Sequence, residues 1–191
     1  DTTHFSVIDK DGNAVSCTTT INSSFGSMCV VEGAGFFLNN EMDDFSAKPG
    51  VPNQFGLVGG KANAIAPHKR MLSSMTPTLV LKDGKVVLVL GAPGGGRIIT
   101  SVLQVIVDVL DHGMGLEQAV AAPRVHHQWL PDEIAWEPLA LPPDVRSALA
   151  TMGHRFAKKP IGIGHVQAIA VLKDGVLAVC DPRSGGSAQA Q

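Results

Sequence analysis

The chain has 191 residues, of which 45% are hydrophobic and 17% are charged, and its formal net charge is −2. This composition is typical of one globular domain with a sizeable core, and it excludes a disordered chain. No basic cluster is present in the sequence, which argues against nucleic acid and anionic membrane surfaces as main partners. The longest apolar run, Val86 to Leu90, is too short to cross a bilayer, so no membrane span is expected.

The chain opens on Asp1 rather than on Met and shows no signal-peptide pattern, so we expect it to have been trimmed or processed. Its three cysteines do not form a disulfide framework, and no Cys or His spacing matches a metal motif. His126 and His127 are adjacent, and neighbouring side chains point apart on a strand or a helix. The sequence therefore predicts no metal site.

Three pairs of apolar segments, each joined through an Asp-Gly turn, predict three antiparallel β-hairpins. Their strands cover residues 5–8 and 14–20, 78–81 and 86–90, and 167–171 and 177–180. The segment 86–90 is apolar on both faces, so we expect both faces to be covered. Because the chain has few helices for two covering layers, we expect another chain to complete the fold.

Helices are predicted at 98–110, 116–122 and 143–152, and the first has apolar residues at helical spacing. Between residues 39 and 74 the sequence is rich in Gly, Pro, Asn and Asp, which predicts a long loop that is functional or disordered. The tail 185–191 is expected to fray. Together these elements predict a single α+β domain over residues 1–191.

Thr2 is the first candidate for a catalytic residue, at the head of a strand-like segment. A threonine hydroxyl needs a base to act as a nucleophile, and a threonine at a chain terminus carries its own base, the free α-amine. Taken alone, the residue fits a β-prone threonine at a strand edge better than it fits a nucleophile.

The segment 91–97 (GAPGGGR) joins an apolar strand to the first predicted helix. Its glycines allow a sharp turn with N–H groups exposed at a helix N-terminus, where an anion or a developing oxyanion is favoured. The segment matches neither GxGxxG nor a P-loop, so nucleotide binding is poorly supported. A plain strand-to-helix turn is the simpler interpretation of this segment alone.

Two loop segments carry polar groups that suit a zwitterionic ligand. The segment 39–45 (NNEMDDF) combines three acids with two amides, which can hold an ammonium group or a cation. Ser73 and Ser74 supply paired hydroxyl donors for a carboxylate. In isolation, a solvated acidic loop and an ordinary Ser-Ser loop are the simpler interpretations of the two segments.

Taken together, these segments resemble the small subunit of γ-glutamyltranspeptidases, in order and over essentially the whole chain. The matching motifs lie at 2–9 (TTHFSVID), 18–22 (TTTIN), 37–46 (FLNNEMDDFS), 72–75 (LSSM), 93–95 (PGG), 126–133 (HHQWLPDE) and 181–183 (DPR). The resemblance implies an N-terminal-nucleophile hydrolase, with an αββα sandwich of antiparallel sheets that a large-subunit partner chain completes. It also implies a precursor that cleaves itself and a periplasmic or secreted location.

The resemblance implies acyl transfer from glutathione and other γ-glutamyl compounds to water, amino acids or dipeptides, without a metal or an organic cofactor. Thr2 matches the nucleophile, and Thr20 matches the threonine that supports it by hydrogen bonding. Gly94 and Gly95 match the pair whose backbone N–H groups form the oxyanion hole.

The resemblance also implies how the donor's α-carbon is held. Asn22, Glu41 and Asp44 match the residues that bind its α-amino group. Ser73 and Ser74 match residues that bind its α-carboxylate. The family's arginine for this carboxylate lies in the large subunit, so it is not expected in this chain. A γ-glutamyl group is zwitterionic at its α-carbon, so acids at one pole and hydroxyls at the other suit it.

Two positions depart from the family's pattern. Asp1 precedes the nucleophile and, if it is retained, leaves Thr2 without a free amine; we expect the mature chain to begin at Thr2. The segment 49–60 matches a lid loop over the substrate, and Phe55 stands where several relatives carry a gate-closing tyrosine. Loss of the hydroxyl puts gate closure and the balance between hydrolysis and transfer in question.

Two rival functions remain open from the sequence. A related acylase, such as a glutaryl-cephalosporin acylase, acts on a substrate without an α-amino group and has no need of Asp44. A non-catalytic amino-acid- or peptide-binding module would retain the acidic loop and the serine pair, but it has no need of Thr2 together with Thr20.

Overall fold

The computed structural model describes residues 1–189. Its strands are β1 (Thr2–Ile8), β2 (Ala14–Thr20), β3 (Thr78–Lys82), β4 (Lys85–Gly91), β5 (Val125–His126), β6 (Ala135–Trp136), β7 (Gln167–Leu172) and β8 (Gly175–Cys180). Its α-helices are α1 (Arg97–Leu110), α2 (Leu116–Ala121) and α3 (Pro143–Thr151), and 3-10 helices occupy Glu41–Asp44 and Lys61–Asn63. No helix in the described part is long and apolar enough to span a membrane.

The centre of the fold is a four-stranded antiparallel sheet with the strand order β3-β4-β7-β8. Strand β4 is buried on both faces, with Leu88, Val89 and Leu90 at most 1% exposed. The side chains of Leu88 and Leu90 belong to the core formed with α1 and α2. Val89 points to the opposite face because side chains alternate along a strand. The prediction that this strand is covered on both sides is confirmed.

The second face of the sheet is covered by the antiparallel hairpin of β1 and β2, which contacts β3, β4 and β7. Its inward face is polar. The side chain of Ser16 donates a hydrogen bond to the carbonyl oxygen of Leu90 at 2.9 Å, and Ser6 donates one to that of Val89 at 3.3 Å. The His4 ring packs against Gly91, where no side chain would fit. These contacts fix the start of β1 over the end of β4.

The outer face of this hairpin has no cover within the described residues. Phe5, Val7 and Val15 are each about half exposed. The expectation that another chain completes the fold came from β4, but this chain covers both faces of β4 itself. The apolar surface left uncovered is instead the outside of the β1–β2 hairpin, which burial against a partner would stabilise.

Three buried charged side chains and the partly buried Arg183 hold the segment 161–166 in place. Arg124 forms an ion pair with Asp181 at 2.9 Å, and Arg183 bridges Asp181 and Glu137 at 3.0 and 2.7 Å. Both acids also accept backbone N–H groups of this segment. Burial by itself raises the pKa of Asp181, but the Arg183 N–H and the Arg124 charge outweigh it and lower that pKa, so the pair stays charged.

The three predicted hairpins and three predicted helices are confirmed, with ends that move by a few residues. Strand β1 begins at Thr2 rather than at Phe5, and α3 ends at Thr151. The pair β5 and β6 was not predicted, since strands of two residues leave no periodicity to detect. The long loop at 39–74 is ordered around its two 3-10 helices. Of the tail expected to fray, residues 190 and 191 lie outside the described part.

Candidate active site

A pocket of about 560 Å³ opens where the β1–β2 hairpin meets the loop after β4. It is lined from the hairpin side by Thr2, Thr20 and Asn22, and from the opposite side by the turn 93–98. The long loop contributes Asp44, Phe55, Leu57, Ser73, Ser74 and Met75. Residues from four distant parts of the chain therefore line one pocket.

Thr2 and Thr20 face each other as a cross-strand pair of β1 and β2. Their hydroxyl oxygens are 2.9 Å apart, a hydrogen-bond distance. The hydroxyl of Thr20 is also 3.1 Å from the carbonyl oxygen of Asp1, to which it donates, and it accepts the N–H of Asn22 at 2.9 Å. Thr20 is thus held by its neighbours in position to contact the hydroxyl of Thr2.

Asn22 follows β2 with a φ of 71°, a left-handed conformation that asparagine tolerates better than most residues. The amide nitrogen of its side chain donates to the carbonyl oxygen of Asn40 at 3.4 Å. The neighbouring Ser23 N–H donates to the Asn40 side chain at 2.9 Å. This turn ties the end of β2 to the start of the acidic loop and directs Asn22 to the pocket.

The turn between β4 and α1 supplies backbone donors. Gly94 and Gly95 have φ values of 143° and 59°, which glycine adopts without strain. Within residues 1–189, neither N–H donates a hydrogen bond to a protein acceptor. Both groups lie just before α1, whose N-terminus has no side-chain cap, so the helix dipole adds to their attraction for negative charge.

Asp44 lines the pocket, whereas Glu41 lies on the same 3-10 helix but outside the lining. Burial, together with the charges of Glu41 and Asp43, raises the pKa of Asp44 to about 6. Burial also raises the pKa of Glu41. Asp44 forms no ion pair with a side chain of residues 1–189. Such a carboxylate is the electrostatic complement of an incoming ammonium group.

Ser73 and Ser74 line the pocket together. The hydroxyl of Ser73 accepts the N–H of Met75 at 3.2 Å, which leaves its own proton free to donate. The pocket therefore has two poles. The two hydroxyl donors on one wall suit an anionic group, and the carboxylate of Asp44 on another wall suits a cationic group.

The segment 49–60, which the resemblance predicts to be a lid and which is called the lid segment below, lies against the turn between β4 and α1. The ring of Phe55 is about 40% exposed, and a Cβ atom built on Gly95 would lie 3.5 Å from it. A Cβ atom built on Gly96 would lie 2.9 Å from Leu57. Both residues line the pocket, so the lid segment forms part of its wall.

Sequence reasoning missed the segment 161–166, which contributes Gly162, Gly164 and His165 to the pocket. The N–H of His165 donates to the carbonyl oxygen of Pro93 at 3.4 Å, directly before the two glycines. The alternating glycines of this segment were the only signal of a close backbone approach, and they carry no chemical motif.

No group of three or more His, Cys, Asp or Glu side chains in the described residues is placed to hold a metal ion. The side chain of His126 instead bonds to Thr100 and Gln128, at 2.7 and 2.9 Å. The His126–His127 pair therefore has a structural explanation within this chain.

The chain is similar to known proteins over its whole length. Residues 1–191 match the family described as Gamma-glutamyltranspeptidase. The chain is 55% identical over 184 residues to the glutathione hydrolase proenzyme of Escherichia coli, covering 96% of this chain and 31% of that protein. It is 41% identical over 177 residues to the acylase ACY 1 proenzyme of a Pseudomonas species, covering 93% of this chain and 29% of that protein.

Among solved structures, a mutant γ-glutamyltranspeptidase of Helicobacter pylori superposes with a TM-score of 0.90 at 57% identity. That match covers 95% of this chain and 100% of the solved chain. By contrast, the chain spans about a third of the length of the curated relatives it matches. The family match over the whole chain and the superposition show that this chain belongs to the γ-glutamyltranspeptidase family and has its antiparallel, layered N-terminal-nucleophile hydrolase fold.

Proposed function

We propose that this chain is the catalytic subunit of an enzyme that transfers γ-glutamyl groups from glutathione and related amides to water, amino acids or dipeptides. The observation that carries the proposal is the 2.9 Å contact between the hydroxyls of Thr2 and Thr20, in a pocket also lined by Gly94, Gly95 and Asp44. A hydroxyl nucleophile, backbone oxyanion donors and an ammonium-binding acid are the groups that this reaction needs.

In the proposed reaction, the hydroxyl oxygen of Thr2 attacks the γ-amide carbonyl carbon while the free α-amine of Thr2 accepts the proton. The N–H groups of Gly94 and Gly95 stabilise the oxyanion, and Thr20 orients the nucleophile. Collapse breaks the C–N bond, and the leaving amine takes the proton. Water or an acceptor amine then attacks the γ-glutamyl ester and releases Thr2. No metal or organic cofactor takes part in this scheme.

Recognition of the donor divides between the two poles of the pocket. Asp44, with Asn22 and Glu41, binds the α-ammonium group, and Ser73 with Ser74 donates to the α-carboxylate. The raised pKa of Asp44 supports its part, because an ammonium group beside it would offset the cost of its burial.

The same hydroxyl of Thr2 performs the maturation step. It attacks the carbonyl carbon of Asp1, and the C–N bond breaks, which frees the Thr2 amine with the hydroxyl proton and leaves Asp1 joined to Thr2 as an ester. Water then hydrolyses the ester, which frees the Thr2 hydroxyl and gives Asp1 a carboxyl group. The Asp1 carbonyl oxygen accepts hydrogen bonds from Thr20 at 3.1 Å and from the N–H of Ile21 at 3.3 Å, which favours an oxyanion there. The relatives are named proenzymes, which supports this step.

The mature protein is then a heterodimer of a large subunit from the same precursor and this small subunit. Residues 1–191 form a single domain, from which the cleavage leaves Asp1 on the large subunit. The half-exposed outer face of the β1–β2 hairpin supports such a partner, as does the share of the relatives' length that this chain spans. We also propose a periplasmic or secreted location, and this part of the proposal rests on the family resemblance alone.

An acylase is the second candidate, because an acylase ACY 1 proenzyme is 41% identical. The experiment compares γ-glutamyl-p-nitroanilide with glutaryl-7-aminocephalosporanic acid as donors for the full-length protein. We expect the γ-glutamyl donor to be preferred by at least about tenfold, since only it offers an ammonium group to Asp44. A preference for the glutaryl donor would replace the proposal with the acylase.

A binding module without catalysis is tested separately. A glutamine-analogue inactivator should add its mass to the peptide that begins at Thr2. An unmodified Thr2 after prolonged treatment, in protein that binds the donor, would support the binding module instead.

A further inference from the structure

The lid segment makes only a few polar contacts outside itself and the acidic loop. On the hairpin side, the Ser23 hydroxyl donates to the Gln54 side chain at 3.1 Å. On the opposite side, the carbonyl oxygen of Gly56 accepts a hydrogen bond from the Gln128 side chain at 3.3 Å. The second contact joins residues that are 72 positions apart.

Three hydrogen bonds fix the orientation of the side-chain amide of Gln128. The nitrogen donates to the carbonyl oxygens of Gly56 and Leu130, at 3.3 and 3.0 Å. The oxygen is 2.9 Å from Nε2 of His126, which therefore donates to it. Exchanging the two amide ends would place oxygen against two carbonyl oxygens, so the orientation is fixed.

The same side chain touches the turn that carries the oxyanion donors. A Cβ atom built on Gly96 would lie 3.3 Å from Oε1 of Gln128, and one built on Gly56 would lie 3.6 Å from its Nε2. His126, which is 6% exposed, is fixed in turn by Thr100 in the first turns of α1, with 2.7 Å between Nδ1 and the hydroxyl. A continuous set of hydrogen bonds thus runs from α1 to the lid segment.

We propose that Gln128 is a positioning residue that fastens the lid segment to His126 and, through it, to the first turn of α1, and so retains the γ-glutamyl donor. The proposal rests on the proposed function for its ligand. Phe55 and Leu57 form the pocket wall only while the lid segment lies against the turn between β4 and α1. The contacts of Phe55 and Leu57 with this turn are apolar. The amide of Gln128 supplies a directional bond from the lid segment to His126, and His126 is in turn bonded to Thr100 of α1, directly after the turn.

The decisive variant is Gln128→Glu, which keeps the shape and replaces the donor nitrogen by oxygen. It removes the bonds to Gly56 and Leu130 and sets like partial charges against each other. Gln128→Met removes the same donors without adding charge. The matched control is Gln118→Glu, the same change at an exposed position of α2.

Hydrogen exchange followed by mass spectrometry on the full-length protein should show faster exchange in the peptide covering 49–60 for both Gln128 variants. The core strands β4 and β7 should exchange as in the wild type. With γ-glutamyl-p-nitroanilide, KM should rise by about 2–10-fold, the range expected for one lost hydrogen bond. The value of kcat should change less, which separates a loose lid from a damaged nucleophile. Gln118→Glu should behave as the wild type.

Unchanged exchange in the lid peptide and unchanged KM in both Gln128 variants would overturn the proposal. Faster exchange throughout the protein would also overturn it, since that shows a general loss of stability. A wild-type protein without γ-glutamyl activity would refute the proposed function, yet the exchange measurement would still decide whether Gln128 fastens the lid segment.

Discussion

Gly94 and Gly164 pack backbone against backbone: a Cβ atom built on Gly94 would lie 3.1 Å from the Cα atom of Gly164. Gly164, with a φ of 66°, in turn has no room for a side chain, because Ser101 lies 2.8 Å from the position of its Cβ. The buried ion pairs of Arg124 and Asp181 hold the segment around Gly164. The orientation of the proposed oxyanion donors therefore depends on a segment more than sixty residues further along the chain.

Gly164→Ala should push this segment against Gly94 and disturb the proposed oxyanion hole. Loss of one such donor costs about 100- to 1,000-fold in kcat, so a partial displacement should lower kcat by at least about tenfold. Steady-state kinetics with γ-glutamyl-p-nitroanilide measures the effect. Gly185→Ala is the control, because its Cβ atom would meet nothing within 4 Å and the residue does not line the pocket. Equal kcat values in the two variants would show that the backbone contact has no catalytic consequence.

Asp44→Asn should weaken γ-glutamyl donors selectively. Loss of a charged contact in a partly buried site costs about 1.5–3 kcal/mol, or roughly 10–150-fold in donor kcat/KM. Residual turnover of a glutaryl amide, which lacks the ammonium group, should change little. Asp174→Asn, at an exposed hairpin turn, provides the control. An unchanged kcat/KM for glutathione would remove Asp44 from the donor site.

The pH dependence of donor capture should follow Asp44, whose pKa is raised to about 6. Below this pH the carboxyl is protonated and has no charge for the donor's ammonium group, so kcat/KM should fall as the pH drops through about 6. The inflection belongs to the free enzyme and should be absent in Asp44→Asn. A wild-type profile that is flat between pH 5 and pH 7 would contradict this assignment.

The contribution of Asp44 to protein stability should change with pH in the direction opposite to its contribution to donor capture. A carboxyl with a raised folded-state pKa contributes stability at low pH, and the contribution is lost as the pH rises through about 6. Asp44→Asn should therefore have a higher Tm than the wild type at pH 7, and the difference should shrink towards pH 4. Thermal unfolding at several pH values tests this expectation, and a lower Tm at pH 7 would contradict it.

Phe55→Tyr should shift the lid segment towards closure. The Phe55 ring already lies against Gly95 in the pocket wall, and a hydroxyl adds a hydrogen-bonding group at its edge. A new hydrogen bond is worth about 0.5–1.5 kcal/mol, enough to change donor affinity and the transfer-to-hydrolysis ratio several-fold. If both quantities stay at their wild-type values, Phe55 has no gating role in this protein.

The active small subunit should begin at Thr2, with Asp1 left at the end of the large subunit. An amide nitrogen is not basic, so Thr2 accepts its hydroxyl proton only after the bond to Asp1 is cut. Intact-mass analysis of the purified active enzyme decides this point. Thr2→Ala should block both maturation and turnover, while Thr2→Ser should still mature. A subunit that retains Asp1 and cleaves glutathione at full rate would refute the mechanism.

Local patterns in the sequence were sufficient for most of the secondary structure. The Asp-Gly pairs between apolar segments were enough to predict the three hairpins, because such pairs favour the reversal of the chain. The connections themselves differ: residues 83–84 join β3 and β4, residues 173–174 join β7 and β8, and the five residues 9–13 join β1 and β2. Helix α1 was equally clear, since its buried residues Ile98, Val102 and Val105 recur along one face. The two-residue strands β5 and β6 were missed because a pairing that short is decided by distant contacts.

The sequence by itself determined the residue types of the candidate site, since Thr2, Thr20, Asp44 and the glycines of 94–95 stand in recognisable motifs. Tertiary structure decided what those motifs do not contain: that Gly164 packs against Gly94, that the Gln128 side chain donates a hydrogen bond to Gly56, and that burial raises the pKa of Asp44. The physical reason is that a motif records neighbours along the chain. Close packing and desolvation depend instead on groups that meet only when the sheet, the hairpin and the loops have assembled.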